Sequence, residues 1–87
     1  MMNRALTSAQ IRAARSLIRW RAEDLARESS IGVATIRRAE LAEGPTSLTA
    51  ANDQAIRRAL EGAGVEFIDE NGGGPGVRLR KLPKPKL

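Results

Sequence analysis

Apolar residues recur at helical spacing through the first two thirds of the chain, and the pattern changes near its end. Thr7 and Gln10 stand three apart as in a capping box, with Leu6 and Ile11 where a hydrophobic staple would close over it. Ile11, Ala14, Leu17 and Ile18 then mark one apolar face. They predict a helix over residues 8–19, with Arg12, Arg15 and Arg19 elsewhere on its surface. A second helix is expected from Ala22 to Ser29. Glu23 and Asp24 lie in its first turn, where carboxylates suit the helix dipole, and Leu25 and Ala26 give it an apolar side. Ser29-Ser30-Ile31-Gly32 breaks the pattern. A third helix from Val33 to Leu41 points Ile36 inward and leaves Arg37 and Arg38 more exposed. After a loop by composition at residues 43–47, Thr49 is a plausible N-cap for a fourth helix, with Asp53 near its positive end. Ala55, Ile56, Ala59, Leu60 and Ala63 form its buried stripe, and Gly62 and Gly64 end it.

The last third reads differently. Residues 65–68 (Val-Glu-Phe-Ile) are rich in strand formers, residues 69–76 are a glycine-rich turn, and residues 77–80 alternate apolar and basic. Together they predict a β-hairpin. Two strands alone are marginal in water, so the hairpin needs helices behind it or a copy of itself from a second chain. Residues 81–87, with two prolines and all three lysines, are expected to be extended and mobile. The organisation is thus a helical domain over residues 1–64, a hairpin at 65–80 and a basic tail at 81–87.

Composition narrows the function more than the fold. The 87 residues suffice for one domain, and its core must be aliphatic, because Trp20 and Phe67 are the only aromatic rings. Both rings are read as core, although a lone Phe can also stack on a base. Cysteine and histidine are absent, which removes disulfides, the usual zinc ligands and the commonest proton shuttle. The chain is therefore read as no enzyme, with no cofactor, no metal and no evident small-molecule ligand. The Asp69-Glu70-Asn71 turn lacks the ligand spacing of a calcium loop and is read as a solvated turn. With no membrane-spanning run and no signal peptide, a cytoplasmic, nucleoid-associated protein is expected.

The net charge of +5 is uneven. Residues 1–40 hold eight Arg against four acids, residues 41–71 two Arg against six acids, and residues 72–87 five basic residues and no acid. The basic ends suit a polyanion and the acidic middle does not. Arginines outnumber lysines twelve to three, and arginine is the better fork for phosphates and guanine edges.

The stretch from Trp20 to Glu40 reads as a helix, a tight turn and a second helix exposing two adjacent arginines. On Leu25-Ala26, Thr35-Ile36, Glu40, Ala59-Leu60 and Arg15, residues 8–61 resemble the Cro/C1-type helix-turn-helix family, also called lambda repressor-like or XRE. The resemblance implies a mainly α fold: a lambda repressor-like four-helix domain with a helix-turn-helix, here extended by the hairpin. It implies an ion pair between Arg15 and Glu40 that fixes the angle between the first and third helices. It also implies a transcriptional regulator that binds double-stranded DNA, such as a repressor, as a homodimer on an inverted repeat. Gly32, Val33, Ala34, Thr35 and Arg38 then fall near base edges, with Arg37 either a phosphate contact or a second reader. Ala22 stands where many relatives carry a phosphate-gripping Gln, and Arg21 beside it offers a charged grip instead. Other departures are Ser30 where the turn normally has Gly, Gly32 where a Ser cap is usual, and Ala39 where a larger aliphatic is common. The dimer contact is assigned to the hairpin, the alternative being that it folds back on its own helices in a monomer. The rival function is a protein-interaction module, an antitoxin or adaptor that uses the same fold.

Overall fold

The computed structural model describes residues 5–80 and contains four helices and one antiparallel hairpin. The helices are α1 (Ser8–Ile18), α2 (Ala22–Ser29), α3 (Val33–Leu41) and α4 (Ala50–Gly62), and the strands are β1 (Val65–Ile68) and β2 (Gly76–Leu79). The basic tail lies outside the described residues. Among those residues no helix is long and apolar enough to cross a membrane.

Each element begins or ends where the local chemistry asks it to. Thr7 caps α1 by accepting from the Gln10 N–H, and the Gln10 side chain accepts from the Thr7 N–H. Leu6 and Ile11, the staple positions, are both buried in one core cluster. α1 ends one residue earlier than the pattern predicts because Arg19 turns left-handed at φ 58°, and the Arg15 carbonyl accepts from the Trp20 N–H at 3.0 Å. This i to i−5 bond is the Schellman closure. α2 closes the same way. Ser30 is left-handed at φ 60°, and the Ile31 N–H donates to the Ala26 carbonyl at 3.1 Å. Thr49 caps α4 by accepting from the Asn52 N–H.

A serine in the left-handed region is strained by its Cβ, at about 1 kcal/mol. Ser30 is exposed, so Ser30→Gly should relieve that strain without disturbing the core. The melting midpoint should rise by roughly 4–8 °C in a thermal scan. An unchanged or lower midpoint would show that the turn tolerates its serine freely.

The core is aliphatic, with Ile11, Leu25, Ile36, Ile56, Leu60 and Val65 its largest fully buried side chains. Trp20 and Phe67 pack against it from its rim. Leu17, read from its spacing as part of the α1 apolar face, is instead 38 % exposed. On α4 the predicted stripe is broadened by two polar residues. Asp53 is buried and accepts from the Leu6 N–H at 2.9 Å, fastening α4 to the residue before the α1 cap. Arg57 is buried with its guanidinium 5.1 Å from the centre of the Phe67 ring.

The hairpin pairs Val65 with Leu79, Glu66 with Arg78, Phe67 with Val77 and Ile68 with Gly76. It packs on its own α1 and α4, so its support comes from the same chain. Gln10 is central to this. While its side-chain oxygen completes the α1 cap, its amide nitrogen donates to the Gly76 and Ile68 carbonyls at 3.0 and 3.3 Å. The sheet has two strands only, so each keeps one outer edge unpaired among the described residues, and Leu79 is more than half exposed.

Candidate nucleic-acid interface

α3 is held at both ends and, among the described residues, bare along one side. It follows α2 after the short Ser30–Gly32 turn and packs against both α2 and α1. Ile36, Ala39 and Glu40 face inward and are buried. Ala34, Arg38 and Leu41 are spaced by four and three residues, which stacks them on one helix face, and all three are exposed. That face points away from the core. Thr35 lies on one flank and Arg37 on the other.

α3 lacks a left-handed closure at its C-terminal end, because the chain leaves it extended at Ala42. Its last carbonyls are satisfied by α1 instead. The Ser8 hydroxyl donates to the Ala39 carbonyl, and an Arg12 guanidinium nitrogen donates to the Glu40 carbonyl. Arg15 adds a two-pronged ion pair to the Glu40 carboxylate, Nε to Oε2 at 2.6 Å and Nη2 to Oε1 at 2.7 Å. Its remaining nitrogen donates to the Trp20 carbonyl at 2.9 Å. The Arg15 pKa is raised, chiefly by its hydrogen bond to Glu40, against a smaller opposing effect of burial. Ser8, Arg12 and Arg15 recur at four and three residues, a polar stripe on α1 that grips the end of α3. The Arg15–Glu40 pairing is thus present as expected, while the Ser8 and Arg12 contacts were not anticipated. Their signal was that helical spacing, which places Ser8, Arg12 and Arg15 along one side of α1 but does not show what that side packs against.

The other expected site residues divide by exposure. Arg21, Gly32, Ala34, Arg37 and Arg38 are exposed, and Val33 and Thr35 half-buried. Ala22 is the exception, buried at 8 % exposure as part of the core. The Arg37 guanidinium is engaged, donating to the Glu23 carboxylate at 2.6 Å. Arg38 donates to the hydroxyl of Thr35 on its own helix at 3.3 Å. Leu41, 79 % exposed on the outward face, was missed, although its spacing from Ala34 and Arg38 would have placed it.

Two helix N-termini flank this face, and each carries a carboxylate in its first turn. At α2 the chain supplies its own anions. Asp24 accepts from the Arg21 N–H at 2.8 Å and pairs with Arg27, and Glu23 stands beside it. At α4 an open groove of about 550 Å³ separates its first turn from α3, and Thr35, Arg38, Thr46, Ser47, Thr49 and Asn52 line it. Ala39, Leu41, Ala42 and Leu48 line it as well, so hydroxyl, amide and guanidinium donors share the groove with apolar side chains, and the first turn of α4 already carries the buried Asp53.

No family model matches the chain, and no curated protein is similar to it in sequence.

Proposed function

We propose that α2, the Ser30 turn and α3 form a Cro/C1-type helix-turn-helix, and that the chain is a sequence-specific regulator binding double-stranded DNA. The observation that carries this is the outward face of α3, an uncovered basic helix whose C-terminal end is fixed by α1. A helix fits the major groove when it projects and is held rigidly. Arg38 is the reader, suited to a guanine edge, with Ala34 and half-buried Val33 packing against thymine methyl groups. Arg21 and the groove at the start of α4 follow the two flanking phosphate runs.

One such unit buries too little DNA surface for useful affinity, so two copies act together on an inverted repeat. The open hairpin edge and exposed Leu79 supply the contact between them.

Selection of bound sites from a pool of random duplexes tests the reading. An enriched palindrome, bound with log K falling about 4–5 for each log unit of salt, is the expected result for a dimer using two or three cations per protomer. Binding that is absent or indifferent to salt would end it. Leu41 favours a second reading, in which α3 docks on a protein as in an antitoxin or adaptor, because its exposed side chain adjoins Ala39, Ala42 and Leu48 along the groove between α3 and α4.

A further inference from the structure

The Arg37–Glu23 pair joins the flank of α3 to the first turn of α2. Both side chains remain 55 % exposed, so the pair contributes little to holding the helices together. Buried Leu25 of α2 and Ile36 of α3 belong to one apolar cluster, and that packing does not need the pair. The α2 cap itself is made by Asp24, which accepts from the Arg21 N–H and stays in place without Glu23. The Glu23 pKa is lowered, first by its own backbone N–H and then by the guanidinium groups of Arg37 and Arg21, with desolvation opposing. Glu23 is thus ionised at neutral pH and placed beside the face that the proposed function turns toward DNA.

An arginine already neutralised by a carboxylate of its own chain releases no counterion when a duplex arrives. It adds nothing to the electrostatic attraction that drives binding to arbitrary sequence. The carboxylate itself repels phosphates. We propose that Glu23 is a specificity-determining residue: it occupies the Arg37 guanidinium, weakens binding to duplexes of arbitrary sequence, and leaves discrimination to Arg38. This inference rests on the DNA-binding reading.

Glu23→Gln, Arg37→Ala and the double substitution, made in the full chain, test it by fluorescence anisotropy on a short duplex of mixed sequence over a range of salt. Glu23→Gln should tighten binding about fivefold and steepen the salt slope by about 0.9 per freed arginine. In the Arg37→Ala background the same change should tighten binding much less, because only the carboxylate's own repulsion of phosphates is then removed. Equal tightening in both backgrounds would mean that removal of a negative charge suffices, and the inference fails. Unchanged or weaker binding by Glu23→Gln overturns it also, with the DNA reading intact. If the unsubstituted protein binds no duplex, the DNA reading fails first. Circular dichroism should show the same helix content in all variants, since both side chains are exposed.

Discussion

Arg38→Ala should cost a dimer about 30- to 10⁴-fold in affinity for its selected duplex. On the proposed reading, each protomer would lose one two-pronged base contact, worth about 1–3 kcal/mol. Stability should barely change, because Arg38 is exposed and its hydrogen bond runs to Thr35 one turn back on the same helix. Arg37→Ala alone should lose far less, because its guanidinium is taken by Glu23. The double variant should therefore resemble Arg38→Ala. Anisotropy titrations with the selected duplex, run beside thermal melts, separate these outcomes. If the double variant melts normally and binds as tightly as the unsubstituted protein, α3 is not the reading surface. The protein-interaction reading, resting on Leu41, then gains.

Much of this architecture is legible in the sequence, for a physical reason. Helix ends depend on short-range chemistry. Thr7 with Gln10, Thr49 at its cap position and the glycines after Leu60 announce themselves within four residues, and the observed boundaries follow. Ser30 shows how far such reasoning reaches. Its place in the turn implies a left-handed residue despite its Cβ, and φ is 60°. Contacts over long separations are another matter. Gln10 is readable as a capping residue, but that its amide also grips a strand 66 residues away depends on how the hairpin docks. Asp53 lies in the first turn of α4, where the dipole argument placed it, but its burial on the Leu6 N–H depends on how α4 docks against the start of the chain. Leu17 fails in the opposite sense. Periodicity identifies an apolar stripe but not how far the neighbouring elements extend over it. For the site, exposure of the two arginines was readable from the helix pattern. The pairing of Arg37 with Glu23 was not, because it needs the relative placement of two helices. Ala22, placed at a binding position by resemblance alone, is buried at 8 % exposure, because a small apolar side chain in the first turn of α2 packs with the core.

Glu40→Ala should be the most damaging single change to the link between α1 and α3. It removes both acceptors of the Arg15 fork and leaves a guanidinium facing a site with one remaining acceptor, the Trp20 carbonyl. Breaking a fully buried pair costs about 3–5 kcal/mol. Arg15 is 23 % exposed and water can reach part of the orphaned charge, so about 2–3 kcal/mol is the expected loss. In a domain of this size that lowers the melting midpoint by roughly 10–20 °C. Replacing both partners by leucine should recover most of the stability, because no charge is then stranded and apolar volume fills the gap. The contrast lies in binding. The fork fixes α3 to α1 with two directional bonds, whereas leucine against leucine leaves the helix free to rock. Duplex affinity should therefore stay depressed in Arg15→Leu/Glu40→Leu even after its midpoint has returned. If affinity returns with stability, the Ser8 and Arg12 bonds to the α3 carbonyls are enough to set its angle, and the ion pair serves folding alone.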